Sequence, residues 1–210
     1  MISDAKQLLS LLGIPYVQAP SEAEAQAAHM TAQGHVWAAN SQDYDSLLFG
    51  TSRLVRYVTI HGREYLPSKG IARRLEPELI DARDLLANLS ISREQLIDIA
   101  ILVGTDFNKG IRGIGPKTAL KLIREYASIE NLPGDIRSKV SENYQAIRRI
   151  FLNPPVTSSF STALHPVREG ELYDFLCRQR GFSRNRVDTV VERMKKLDTQ
   201  PNLFRWVESD

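Results

Sequence analysis

Residues 19–50, APSEAEAQAAHMTAQGHVWAANSQDYDSLLFG, decide how the rest of the chain is read. Pro20-Ser21 opens a helix that runs to about Ala32 and ends at Gly34. Val36-Trp37-Ala38-Ala39 follows as a buried strand that flows into an acidic loop at Asp43. Just upstream, Ile14-Pro15-Tyr16-Val17 is a short strand candidate, preceded by a helix over residues 3–12 that Gly13 stops. Strand, helix, strand at this spacing predicts a parallel α/β unit.

Working outward, residues 53–60 and 63–66 flank His61-Gly62 as a β-hairpin at a sheet edge. Residues 77–89 and 92–103 read as helices, the second with Ser92 as N-cap. A glycine-punctuated turn then leads into a helix to about Tyr126. A further helix over 136–151 is broken by Asn153-Pro154-Pro155. After a Ser/Thr-rich link at 157–162 the chain is mainly helical to about Leu197. The expected fold is therefore α/β, a partial, mostly parallel sheet with helices over residues 1–106. A helical lobe follows over 107–197, then a tail over 198–210.

The chain has 210 residues, 42% of them hydrophobic, which suits one large domain or a domain with an appended lobe. Its longest apolar runs are far too short to span a bilayer. MISDAKQLL has no basic n-region or cleavage site, so no secretory signal is expected. One cysteine, Cys177, excludes an internal disulfide framework and fits a reducing compartment and a small core residue. The net charge of +2 matters less than its distribution: Arg112, Lys117, Lys121, Arg124, Arg137, Lys139, Arg148 and Arg149 crowd the segment after Asp106, and the five carboxylates Glu22, Glu24, Asp43, Asp45 and Asp106 lie before that segment. Such segregation suits a protein that grips phosphate with one surface and hydrolyses it at another; solvated helix faces are the plainer alternative.

Five carboxylates are candidates for chemistry: Glu22 and Glu24, Asp43 and Asp45, and Asp106. Glu22 and Glu24 admit two readings. Ser21 and Glu24 have capping-box spacing, and first-turn acids suit the helix dipole. Alanines at 23, 25, 27 and 28, on the other hand, leave room for a crowded pocket. Asp43 and Asp45 follow the carboxyl end of the expected strand, the edge where open α/β sheets place their sites. In an extended segment they point the same way. Asp106 alone is a turn aspartate whose interest is its place between the α/β part and the basic turn. An all-oxygen donor set fits Mg²⁺ or Mn²⁺ rather than zinc, and two such ions serve in-line phosphodiester hydrolysis.

In Ile111-Arg112-Gly113-Ile114-Gly115-Pro116-Lys117-Thr118, Gly113 and Gly115 permit tight turns and close approach of a phosphate. Pro116 suits the first helical position, and the helix start offers free N–H groups to an anion. Lys117 and Lys121 lie four apart on one face. Gly113, Gly115, Lys117, Thr118 and Lys121 are therefore the candidate DNA-binding residues, gripping backbone without reading sequence. A plain helix–turn–helix connection is the bland alternative.

APSEAEAQ, VWAANSQDYDSLLFG, ILVGTDFNKGIRGIGPKTAL and FLNPPVT, in this order, closely resemble the flap endonuclease family of XPG-type 5′ nucleases, archaeal and eukaryotic. The resemblance implies a PIN-like 5′ nuclease core and a helix–two-turn–helix element at residues 110–123. It also implies metal-binding and catalytic roles for Glu22, Glu24, Asp43, Asp45 and Asp106 around two Mg²⁺ ions, with a K⁺ ion possible at the helix–two-turn–helix. The substrate implied is branched duplex DNA with a 5′ flap, in replication and repair. Gln200, Leu203, Trp206 and Val207 look like the family's box for docking on the sliding clamp (PCNA), with Val207 where a second aromatic is usual. The implied location is the cytoplasm of an archaeon or a eukaryotic nucleus, not a secreted or membrane one. Family members carry a further N-terminal nuclease region before the point matched by Met1, supplying two more aspartates. The expected function is accordingly a 5′ flap endonuclease needing that region for full activity; a non-catalytic duplex-DNA and clamp-binding module is the alternative. A PIN-type ribonuclease is weaker, because the duplex-gripping turn argues against it.

Overall fold

The computed structural model describes residues 1–58, 62–66 and 70–199. In chain order the elements are helices α1 (Ile2–Leu11) and α2 (Ala23–Ala32), strand β1 (Ala39–Asn40), helix α3 (Asp45–Leu48), and strands β2 (Arg53–Arg56), β3 (Arg63–Leu66), β4 (Ile71–Arg74) and β5 (Glu78–Asp81). Helices α4 (Ala82–Leu89) and α5 (Arg93–Val103) precede the short strands β6 (Gly104–Thr105) and β7 (Asn108–Lys109). Helices α6 (Pro116–Tyr126), α7 (Gly134–Arg137), α8 (Tyr144–Leu152), α9 (Glu169–Tyr173) and α10 (Arg184–Thr199) complete the set. A single turn at Ile129–Asn131 is 3₁₀, and Asp174–Gln179 winds as a π-helix.

The sheet is mixed. β1 pairs parallel to β2 with Ala39 opposite Leu54, and β2 pairs antiparallel to β5 with Leu54 opposite Ile80. The expected parallel unit is present at β1–β2, but among the described residues the three-stranded sheet is not mostly parallel. Residues 77–89, expected as one helix, are instead a strand followed by a helix. Pro77 favours extended chain, and Asp81 caps α4 by accepting from the backbone N–H groups of Arg83 and Asp84 at 3.0 and 3.4 Å. The expected hairpin about His61-Gly62 is also different: Arg63–Leu66 pairs with Ile71–Arg74 in a separate ribbon, and His61 lies outside the described residues.

Residues 14–17 form no strand. The flanking backbone is engaged otherwise, the Gly13 carbonyl accepting from the His165 N–H at 2.9 Å and the Leu11 carbonyl from Arg168 at 2.9 Å. Of residues 36–39 only Ala39 enters the sheet. The expected 136–151 helix is two pieces, α7 and α8, separated by a turn in which the Tyr144 N–H donates to Ser141. Helices α5 and α6 agree with expectation, down to Ser92 as N-cap, here in a full capping box with Gln95, and Pro116 in the first turn.

The chain divides into two compact units, residues 19–158 and the pair of segments 1–18 and 159–210. Residue 106 is interior to the first of these. The physical reason is α5, whose Ile97, Ile101 and Leu102 are fully buried beside Ala119 and Ile123 of α6 and Ile147 and Phe151 of α8. Each of the larger of these side chains contributes roughly 1.5–3 kcal/mol on burial, so helices on both sides of residue 106 share one core. Ala25 and Ala28 of α2 lie in the same cluster. In the other unit Leu11, Leu172, Phe175, Val187 and Val191 pack together, with Cys177 half-buried against them. Among the described residues no helix is long and apolar enough to cross a membrane.

Candidate metal centre and nucleic-acid interface

All five candidate carboxylates lie in the 19–158 unit. Glu22 is the N-cap residue of α2, exposed, with no side-chain capping bond. Glu24 is in the first turn and half-buried. Its carboxylate accepts from the Ser41 hydroxyl and, at 3.4 Å, from the Ser46 hydroxyl. Glu24 therefore does not close a capping box with Ser21; it faces the loop after β1. Two of the four alanines read as leaving room around it are taken up elsewhere. Ala25 and Ala28 face the core, where small side chains let the helix approach closely.

Asp43 is exposed on the loop after β1, its backbone N–H donating to Ser41 Oγ at 3.1 Å. Asp45 opens α3 and is half-buried, so the pair is not carried on one extended segment. The helix turns there because Leu47, Leu48 and Phe49 are all buried, which a strand's alternation could not achieve. Asp106 is exposed at the tip of the two-residue turn between β6 and β7. Asn108 shapes that turn, accepting from the Thr105 hydroxyl at 2.8 Å and donating to the Ile101 carbonyl at 2.8 Å.

Four of the five acids share one electrostatic field. Burial and then the charges of Glu24, Asp106 and Asp43, in that order, raise the Asp45 carboxyl above its ordinary range. Glu22 is not among those charges. Among the described residues, however, no three His, Cys, Asp or Glu side chains converge tightly enough to hold a metal ion. The all-oxygen chemistry and the unneutralised negative field at Asp45 both fit a hard divalent cation. A cation there would offset the mutual repulsion of these carboxylates.

The basic turn lies directly after Asp106. Gly113 takes φ +88°, and the Ile114 N–H donates to the Ile111 carbonyl at 3.0 Å. A Cβ at Gly113 or Gly115 would meet nothing within 4 Å, so both face open space that a phosphate could enter. Lys117, Thr118 and Lys121 are exposed, while Ala119 and Ile123 on the opposite face are buried. The wider basic segment is less uniform than its sequence implies. Arg124 donates to the Leu89 carbonyl, and Arg148 sits between Asp98 and Glu130 as part of the core's polar framework. Arg112, Arg137, Lys139 and Arg149 remain exposed.

Sequence reasoning missed the residues that hold this site together. Ser41 and Ser46 orient Glu24, and Arg93 donates to the Leu48 carbonyl at 2.9 Å and the Phe151 carbonyl at 2.7 Å. Gln26 makes a two-way bond with the Thr157 backbone, donating and accepting at 2.8 Å. The serines between acids were a legible signal; Arg93 and Gln26 carried none, since partners 58 and 131 residues away leave no mark in local pattern.

The acid-bearing β–α edge and the short β-turn at Asp106 fall within residues 13–106, which match the XPG I-region family. The chain is 45% identical over 207 residues to flap endonuclease 1 of Archaeoglobus fulgidus, covering 98% of this chain and 61% of that protein. It is 48% identical over 210 residues to flap endonuclease 1 of Pyrococcus horikoshii, covering 98% and 60% respectively. It superimposes on flap endonuclease-1 from Methanococcus jannaschii with a TM-score of 0.79 at 42% identity, over 94% of this chain and 57% of that one. The chain belongs to the flap endonuclease family, and it spans about three fifths of the length of the curated relatives it matches.

Proposed function

We propose that this chain forms the larger part of a Mg²⁺-dependent, structure-specific 5′ flap endonuclease acting on branched DNA. The observation that carries the reading is the field at Asp45, built by Glu24, Asp43 and Asp106, with the glycine turn and the exposed Lys117 and Lys121 of α6 following Asp106 in the chain. Glu24, Asp43, Asp45 and Asp106 would hold divalent cations, with Glu22 at the edge of the set. When bound, such cations supply a lowered water pKa and charge neutralisation at the scissile phosphate. Ser41 and Ser46 keep Glu24 aimed at the loop, and α3 keeps Asp45 half-shielded from water, where its charge acts more strongly. The N–H groups at the start of α6, with Lys117 and Lys121, hold one duplex strand by its phosphates, and backbone oxygens of the 110–115 turn are the place for K⁺. In this scheme the nuclease part runs to Asp106 and the DNA grip follows it.

A non-catalytic duplex-DNA and clamp-binding module is the second reading, favoured by the absence of a tight acidic triad among the described residues. Gln200, Leu203, Trp206 and Val207, outside the described residues, are proposed to dock on the sliding clamp. Loss of clamp binding in Leu203→Ala plus Trp206→Ala is the expected result; survival would refute the docking proposal.

Both main readings are tested with one labelled 5′-flapped duplex. The chain alone is expected to bind it in a salt-sensitive way and to cleave it poorly with Mg²⁺. Supplying the further region that its relatives possess, in trans or by fusion, is expected to give efficient cleavage that Asp43→Ala abolishes. Retained binding without cleavage in the completed protein would favour the module. Efficient cleavage by the 210-residue chain alone would overturn its dependence on another region.

A further inference from the structure

Arg56 ends strand β2 and is 8% exposed, on the same face as Leu54, which is fully buried. Its guanidinium uses every nitrogen. Nε donates to the Gln42 carbonyl at 3.0 Å, and Nη1 donates to the Tyr44 hydroxyl and to Glu78 Oε2, the latter at 3.0 Å. Nη2 donates to the Tyr57 hydroxyl at 2.8 Å. The guanidinium carbon also lies 4.1 Å from the ring centre of Tyr44 and 4.6 Å from that of Tyr57. Two of these partners, Gln42 and Tyr44, are the residues on either side of Asp43, and Tyr44 immediately precedes Asp45.

Stability alone does not call for a cation here. Burying a guanidinium is unfavourable unless all of its donors are matched, and an apolar side chain would continue the Leu54 face at no such penalty. Tyr57 adds to the argument. It takes φ +60°, a left-handed conformation that a bulky non-glycine residue keeps only where its surroundings over-determine it. That conformation places its hydroxyl on the Arg56 fork. Arg93 fastens the far end of the same segment at the Leu48 carbonyl.

We propose that Arg56 is a positioning residue that holds the loop from Gln42 to Asp45, so that Asp43 and Asp45 present their carboxylates together to a divalent cation. The proposal rests on the metal-binding reading given above. It requires a planar fork, because its three nitrogens must serve four partners at once: a backbone carbonyl, a carboxylate and two tyrosine hydroxyls. A lysine supplies charge but only a compact point donor.

The test uses the 210-residue chain, its Arg56→Lys and Arg56→Met variants, and Arg53→Met as a control from the same strand. Arg53 pairs with Asp81 and stacks over Trp37, away from the loop. Amide hydrogen exchange across residues 41–48, without cations, is expected to accelerate in both Arg56 variants and not in the control. Mn²⁺ affinity, read from the electron paramagnetic resonance of the free ion, is expected to weaken roughly 10- to 100-fold in the same two variants. Arg56→Lys keeps a cation beside Glu78 and carries the test should Arg56→Met fail to fold. A lowered thermal midpoint with unchanged exchange over 41–48 and unchanged Mn²⁺ affinity would make Arg56 merely structural and overturn the proposal. Absence of saturable Mn²⁺ binding in the unsubstituted chain would overturn the metal reading itself, and the exchange rates would still decide whether Arg56 holds the loop.

Discussion

At Arg148 one guanidinium meets two carboxylates that respond in opposite directions. Asp98 lies 2.7 Å away, 3% exposed at its side chain, and also accepts from the Ile129 N–H at 3.1 Å. Its burial outweighs its partners and raises its carboxyl above the ordinary range. Glu130, also at 2.7 Å but nearer solvent, is held down to about 2, chiefly by its hydrogen bonds from Arg148. Replacing Arg148 with Met leaves Asp98 buried and unpaired, and is expected to cost about 3–5 kcal/mol in chemical denaturation. For Glu130 the folded value lies below the ordinary 4.5, so its stabilisation is complete above that pH and is lost as pH falls towards 2. Glu130→Gln should flatten the acid-denaturation curve in that window and leave its slope near neutrality unchanged. Asp45 behaves in the contrary sense: its charge is held against burial and three acidic neighbours. Asp45→Asn is therefore expected to raise the thermal midpoint of the cation-free chain while removing its divalent-cation binding. A fall in that midpoint would contradict the acid field described for the site.

The run from α5 through the β6–β7 turn to α6 is where sequence and structure agree best, and glycine is the reason. A Cβ on Gly110 would lie 1.8 Å from the Val103 carbonyl oxygen, so only glycine lets the returning chain pass the end of α5. Gly110→Ala is expected to destabilise by roughly 1–3 kcal/mol in denaturant titrations, because backbone rather than a side-chain tip must yield. On α6, Lys117→Ala with Lys121→Ala should leave stability nearly unchanged, since both side chains are exposed. It should weaken flapped-duplex binding and lower the salt slope by about 2, one per phosphate contact. An unchanged slope would remove these lysines from the phosphate grip. The acidic half was less legible. Asp43 and Asp45 stood out by composition, but whether their segment was strand or helix depended on Leu47, Leu48 and Phe49 finding a common core. Short apolar runs do not declare their period.

Across the whole chain, the two compact units differ in how much they bury. Among the described residues the 19–158 unit centres on α5, α6 and α8 with many fully buried side chains, whereas the other unit gathers around Leu11, Leu172, Phe175, Val187 and Val191. Local opening follows buried apolar contact, so amides of Ile2–Leu11 are expected to exchange faster than those of Arg93–Val103. Equal protection of the two helices would show that the units open as one. Sequence suggested a division near residue 106 because the expected elements change there from strands and helices to helices alone. The compact units of the structure follow shared burial, which crosses that point in the 19–158 unit, because a core is set by contacts rather than by the kind of element that supplies them.

The family, the five acids, the glycine turn and helices α5 and α6 are legible in the order of the residues, because each rests on residue chemistry acting over a few positions. Which acids share a field, the antiparallel pairing of β2 with β5 and the place of Arg148 in the core rather than on a basic surface emerge with the folded chain. It alone brought Arg56 to the loop of Asp43 and Asp45. Those outcomes depend on contacts between residues far apart in the chain, and burial, which sets the strength of every charge, exists only once the chain has folded.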